Sequence, residues 1–236
     1  MSNILTTHVG SLPRSKELSE FLFAKDKGEK FSQSSFDEVL KNNVESVVKR
    51  QLDVGIDFVS DGEMSKISYA TYIKDRIDGF SGESERRAPA DLDDFPEYKE
   101  KIAKSGGTPT YTRPCCTNEL KVKDETSLLQ DINNFKNSLD KLNHRHAFMN
   151  SASPGVINVF MPNKFYSTED EYLDKLSNIM AKEYELITKS DIQVQLDCPD
   201  LALARHMNFK NLSEDEFIKR AELQIECLNS ALSNVD

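Results

Sequence analysis

The chain has 236 residues, a net charge of −10 and a pI near 5.0. It is long enough to bury a sizeable core and too acidic to present a basic stripe to nucleic acid. No apolar run approaches the roughly 20 residues of a membrane helix, and the start at Met1–His8 lacks the basic and apolar blocks of a secretory signal. Four cysteines, Cys115, Cys116, Cys198 and Cys227, carry no C-x-x-C spacing. That usage fits a reducing cytoplasm better than a disulfide scaffold.

In chain order, Asn3 to His8 reads as a short first strand, closed by Val9-Gly10-Ser11-Leu12-Pro13-Arg14, where Pro13 stops regular continuation. Ser35-Phe36-Asp37-Glu38 has the spacing of a capping box. Phe36, Val39, Leu40, Val44, Val47, Val48 and Leu52 repeat behind it at helical spacing to about Val54. Ile56 to Ser60 is a second strand running into Asp61-Gly62-Glu63. Tyr69, Tyr72, Ile73 and Ile77 suit a helical stripe. From Gly79 to Pro114 the composition turns to glycine, proline and charge, so residues 65–114 read as a long excursion with a short hairpin.

A strand then runs through Val122, and Leu128, Leu129, Ile132, Phe135, Leu139 and Leu142 mark an amphipathic helix. His146 to Ser151 is a strand ending in Ala152-Ser153-Pro154-Gly155. Thr168-Glu169-Asp170-Glu171 opens a helix with Tyr172, Leu176, Ile179, Met180 and Ile187 inward. Ile192 to Asp197 alternates aliphatic and polar residues and breaks at Pro199, as a strand entering a loop does. Ser213-Glu214-Asp215-Glu216 caps a last helix, with Phe217, Ala221, Leu228 and Leu232 inward.

Strand alternating with helix predicts an α/β fold with parallel pairing and right-handed crossovers. About five such units are countable, where a closed barrel needs eight. Either the sheet is open, or residues 1–236 are the N-terminal portion of a single barrel domain. The latter reading fits a chain that stops on a helix.

Parallel strands share one C-terminal rim, and ligands bind there in sheets and barrels alike. Four strand ends carry polar groups to it: His8 with Ser11, Asp61 with Glu63, Ser151 with Ser153, and Asp197. Each has a plainer reading. Ser11 suits a turn hydroxyl, Asp61 before Gly62 suits turn chemistry, His8 suits a satisfied core histidine, and Asp197 can cap the turn before Pro199. Glu63 has no such local duty. No residue reads as a metal ligand: His-x-Cys, C-x-x-C and His-Glu-x-x-His patterns are missing, as are nucleotide-binding glycine loops.

Thr6-Thr7-His8-Val9-Gly10-Ser11-Leu12-Pro13-Arg14, Gly55-Ile56-Asp57-Phe58-Val59-Ser60-Asp61-Gly62-Glu63 and Gln193-Val194-Gln195-Leu196-Asp197-Cys198-Pro199 together resemble the catalytic barrel of cobalamin-independent methionine synthase, and more closely its single-domain relatives. The resemblance implies a TIM-type (β/α)8 barrel, here incomplete. It also implies a cytoplasmic methyltransferase of methionine biosynthesis, an enzyme that methylates the thiol of homocysteine. Zinc holds that thiol as thiolate in the family. By resemblance, Val9, Gly10 and Ser11 match the segment that holds the amino acid's carboxylate, while Glu63 and Asp197 match the two acids around its ammonium. His8, Asp61 and Ser153 border the same substrate site, with Ser153-Pro154-Gly155 on the pterin side.

Two departures stand out. The family's Asp-Glu-Pro is Asp197-Cys198-Pro199, and the family's zinc ligands lie C-terminal to that strand, so zinc is expected from residues beyond 236. A methyltetrahydrofolate is one candidate methyl donor. Two alternatives remain: a barrel acting on another small thiol such as coenzyme M, and a truncated non-catalytic amino-acid-binding paralogue. No nucleic-acid or membrane partner is expected, and a homo-oligomer is expected if open sheet edges pair.

Overall fold

The computed structural model describes residues 4–85, 90–104, 111–144 and 146–235. Helix α1 (Lys16–Asp26) is capped by Ser15, whose hydroxyl accepts the Leu18 N–H. Helix α2 (Gln33–Asp53) starts earlier than its sequence signal. The cap is Ser32, in extended conformation, and it accepts the Ser35 N–H at 3.3 Å. The expected capping box at Ser35 is therefore wrong; Ser35 already lies in the first turn.

Strand β1 (Phe58–Ser60) follows. The expected first strand shrinks to one parallel bridge, Thr7 to Phe58. The Asp57 carboxylate accepts the Thr6 N–H at 2.9 Å, and the Asp57 and Phe58 N–H groups both turn to the Thr6 carbonyl, so the regular ladder does not extend. The helical stripe expected at Tyr69–Ile77 is also corrected. A single 3-10 turn spans Tyr72–Asp75, and Ile77 opens strand β2 (Ile77–Ser81).

Strand β3 (Cys115–Val122) pairs antiparallel with β2, with a register shift between Asp78 and Phe80. It thus belongs to the excursion and not to the parallel series. Between these strands lie a 3-10 turn at Ala90–Asp94 and helix α3 (Pro96–Lys104). Helix α4 (Thr126–Lys141) leads to strand β4 (His146–Ala152). Helix α5 (Pro154–Phe160), which the sequence reading missed, follows at once. Helix α6 (Glu169–Thr188), strand β5 (Gln193–Asp197), helix α7 (Ala204–Met207) and helix α8 (Glu214–Ala231) complete the chain. On α8 the buried positions are Gln224, Cys227 and Ala231, one residue round from the expected stripe, whose Phe217, Leu228 and Leu232 are only half-buried.

The parallel sheet has the order β1-β4-β5, with Ser60 opposite Phe148 and Ala152 opposite Asp197. Val59 and Met149 pack on α2 and α4 through Val44, Val48, Ile132 and Phe135. Alternation along the strands sends Phe58, Phe148 and Gln193 to the other face, where they line an open cleft of about 520 Å³. A second core joins β2, β3, α5, α6 and α8 around Tyr172, Leu176, Tyr184 and Ile157. Among the described residues no helix is long and apolar enough to cross a membrane.

Candidate functional site

The site is built on the turn after β1. Gln51 of α2 clamps the end of that strand, accepting the Ser60 N–H at 3.0 Å and donating to the Ser60 carbonyl at 2.8 Å. Asp61 then accepts the Glu63 N–H at 3.0 Å, which closes a tight side-chain-to-backbone turn. Gly62 and Glu63 both take left-handed conformations, with φ of +64° and +55°. A Cβ at position 62 would stand 2.9 Å from Met64 and 3.2 Å from Leu12, so glycine is required there. The turn throws Glu63 into the interior, where the residue is 0% exposed.

One Glu63 oxygen, Oε2, accepts the Ser11 hydroxyl at 2.6 Å. The other, Oε1, is buried without a hydrogen-bond partner among the described residues. Arg14 fastens the turn from outside by donating to the carbonyls of Glu63 and Lys66, both at 2.7 Å. The Leu12 N–H donates to the Gly62 carbonyl at 3.0 Å, which ties the Val9–Pro13 segment to the same turn.

Asp197 ends β5 half-buried and accepts the Asn150 side-chain amide at 3.1 Å. Burial pushes its carboxyl up; the Asn150 bond opposes this, and the Glu63 carboxylate adds to the rise. Lys66, 6% exposed and within electrostatic range of both acids, donates to the Asn150 carbonyl with its ammonium 4.4 Å from the Tyr72 ring centre. Burial disfavours its charge, but Tyr72, Asp61, Glu183 and Glu63 together outweigh that and hold the ammonium protonated.

Beneath Lys66, Glu183 gathers the Tyr72 hydroxyl at 2.6 Å, the Ser151 hydroxyl at 2.8 Å and the Arg76 guanidinium. Burial, then the Glu183 charge, pushes the Tyr72 hydroxyl up to about 12. Tyr69 borders the acids from the excursion side. Its hydroxyl is pushed up to about 12 by burial, Tyr111 and Asp197.

Ser11, Asp61, Glu63 and Asp197 therefore lie in one neighbourhood. Gly10 precedes Ser11 with φ +81°, and Val9 is exposed. His8 is exposed and lines a groove with Leu12, Asn43 and Arg50 beside α2. Ser153 sits next to Asp197 through its N–H, which donates to the Asp197 carbonyl at 3.1 Å. Its hydroxyl is spent on capping α5 at the Val156 N–H and on donating to Asp200 at 2.7 Å. Sequence reasoning missed Lys66, Asn150, Glu183 and Asp200, which no local pattern marks. Arg14 closes the first motif of the sequence reading, but nothing local marks it as the residue that pins the Glu63 turn.

No three His, Cys, Asp or Glu side chains among the described residues come together to hold a metal ion. Burial and then Asp200 push the Cys198 thiol up to about 11, and no set of metal-ligating side chains gathers around it among the described residues. The residues present do not fit a zinc site.

The class these features define is an α/β protein whose parallel strand ends gather acids and hydroxyls on one rim. Comparison with known proteins narrows it. Residues 4–89 match the profile of the cobalamin-independent synthase catalytic domain. A methionine synthase from Sulfolobus acidocaldarius is 26% identical over 195 residues, covering 82% of this chain and 51% of that protein. A 5-methyltetrahydropteroyltriglutamate–homocysteine methyltransferase from Bifidobacterium adolescentis is 31% identical over 75 residues, 32% of this chain and 10% of that one. The chain thus spans about half the length of the first relative and a tenth of the second. The solved B12-independent methionine synthase from Shewanella sp. W3-18-1, in complex with selenomethionine, shares the fold. Its TM-score is 0.68 at 15% identity, over 98% of this chain and 58% of that one. The chain is thus similar to cobalamin-independent methionine synthases over most of its length, and residues 4–89 to the profile of their catalytic domain.

Proposed function

We propose that this chain provides the amino-acid-binding wall of a cobalamin-independent methionine synthase-type barrel and, in the whole enzyme, orients homocysteine for transfer of a methyl group to its sulfur. The observation that carries this is Glu63: a completely buried carboxylate with one oxygen unpartnered, within electrostatic range of Asp197. Such an acid is costly unless a cation meets it. An α-ammonium between Glu63 and Asp197 supplies that cation. With the Ser11 hydroxyl engaged on Glu63, the backbone N–H groups of Val9, Gly10 and Ser11 are the donors offered to the α-carboxylate. Asp61 holds the turn, and His8 and Ser153 border the site.

These residues bind and orient. Activation of the thiol and the origin of the methyl group, a methyltetrahydrofolate among the candidates, belong to groups outside the set described. The parallel order Thr7–β1–β4–β5 supports reading the sheet as part of a single (β/α)8 barrel wall with residues 65–114 as an excursion from it. The selenomethionine in the Shewanella relative, an amino acid with an α-ammonium and an α-carboxylate, supports the same site chemistry. Four free cysteines support a reducing, cytoplasmic setting.

Calorimetry with L-homocysteine and L-methionine tests the reading, with the deaminated thiol acid of the same chain length as control. The amino acids bind and the control does not. Glu63→Gln and Asp197→Asn each lose about 3 kcal/mol, roughly a hundredfold. Unchanged affinity in both variants would overturn it.

A further inference from the structure

We propose that Arg14 is the positioning residue of the ammonium site: it locks the Glu63 turn through main-chain carbonyls and leaves the Glu63 carboxylate open to a ligand cation. The inference rests on the amino-acid reading above and adds to it a residue that touches no ligand.

Glu63 holds a left-handed backbone at φ +55°, which a non-glycine residue keeps only where its surroundings over-determine it. Asp61 fixes its N–H side at 3.0 Å. Its carbonyl takes the Lys66 N–H at 3.1 Å from within the turn and Arg14 Nη2 at 2.7 Å from outside. The same nitrogen reaches the Lys66 carbonyl at 2.7 Å, and Arg14 Nε reaches the Met64 carbonyl at 3.4 Å. One planar guanidinium therefore grips the carbonyls of Glu63, Met64 and Lys66 together.

These acceptors are neutral, and that sets the arrangement apart from an ion pair. A guanidinium forked onto the Glu63 carboxylate would occupy both oxygens and close it to a ligand. Arg14 lies within electrostatic range of Glu63, yet its bonds run to the backbone. The carboxylate is held instead from the other end of the same segment. Ser11, three residues before Arg14, donates its hydroxyl to Oε2 at 2.6 Å, and Oε1 has no hydrogen-bond partner among the described residues. Leu12 adds its N–H to the Gly62 carbonyl at 3.0 Å. Ser11, Leu12 and Arg14 thus bind the segment that offers donors to the α-carboxylate onto the turn that carries the acid for the α-ammonium. The spacing of those two groups is what a zwitterion measures. A lysine at position 14 would keep the positive charge but lose the planar fork that reaches several carbonyls at once.

A double-mutant cycle read by calorimetry with L-methionine tests this. Arg14→Lys should bind at least about tenfold more weakly, the scale of loss when a preorganised group is displaced. In a Glu63→Gln background the same substitution should cost less than about twofold, because Arg14 acts through Glu63. Equal losses in both backgrounds, or no loss in either, would overturn the proposal. The amine that remains when methionine loses its carboxylate separates positioning from contact. Arg14→Lys should weaken that amine as much as it weakens methionine. A loss confined to methionine would make Arg14 a carboxylate ligand and overturn the proposal. Hydrogen exchange on the unaltered chain is independent of how any variant folds. The Leu12 amide crosses the joint and the Lys66 amide closes the turn, so a turn that exists only while locked opens both with the same free energy. Opening of the Leu12 amide while the Lys66 amide stays protected would overturn it as well. An unaltered chain that binds no methionine, or a Glu63→Gln chain that binds as tightly as the parent, is a different result: it removes the underlying reading, and this inference with it.

Discussion

Gly155 and Asp200 touch at the start of α5. A Cβ placed on Gly155 would stand 2.1 Å from Asp200 Oδ2 and 3.2 Å from Gln224, and Asp200 cannot swing away because Ser153 holds it. Gly155→Ala should cost about 3 kcal/mol, the upper range for overpacking a filled site, read as a lower midpoint in denaturant. At this scale the sequence was informative wherever a strand pattern ended on a polar residue. Ser11, Glu63 and Asp197 each close an alternating or β-branched run, and the fold brings those ends together. Lys66 and Glu183 close nothing. Lys66 sits in an irregular stretch and Glu183 in mid-helix, where a charged residue ordinarily faces water. Their burial comes from contacts across more than 80 residues of chain, which no local pattern records.

Among the elements, the excursion was legible as an interruption, but its internal pairing was not. β3 alternates much as a parallel strand would, and only its partner β2 reveals the antiparallel hairpin. What fastens the far end of the excursion is Asp26 at the close of α1. Its side chain, 1% exposed, accepts the Thr112 N–H at 2.8 Å and the Thr112 hydroxyl at 3.0 Å, and it pairs with Lys74 of the 3-10 turn. Asp26→Ala should destabilise the protein by about 3 kcal/mol, because Lys74 is left buried without its counter-charge. The Thr112 amide should lose hydrogen-exchange protection ahead of the β4 amides. Equal loss at both would show that the excursion is not separately fastened. Helix caps were half legible. Ser213 and Glu216 form the box that their spacing promised, whereas α2 starts on Ser32 because three serines stand close together and any of them could cap.

For the molecule as a whole, buried acids set the response to pH. Asp131 on α4 is pushed up to about 6 by burial, against the Ser65 hydrogen bond. Its unfolded value is near 3.9, so the folded state holds this proton more tightly. Stability from this group is therefore present below about pH 4 and is lost as pH rises towards 6, by roughly 3 kcal/mol at most. Denaturation midpoints of Asp131→Asn should be flatter than the parent's across that window; a steeper curve would reverse the sign and refute the assignment. The α/β class was readable because apolar periodicity switches between strand and helix. The number of parallel strands was not, since pairing is a long-range property.

The Gly62–Glu63 turn reaches further than the site it serves. A left-handed glutamate, sealed from water with one oxygen unanswered, carries a conformational and a desolvation cost that its bond from Ser11 offsets only in part, and glycine at that position would relieve both. On the amino-acid-binding reading proposed above, capture of an ammonium is what favours keeping the acid. That reading expects residue 63 to mark vocation among related chains: glutamate where an ammonium is still handled, and drift towards smaller side chains where that task has been abandoned.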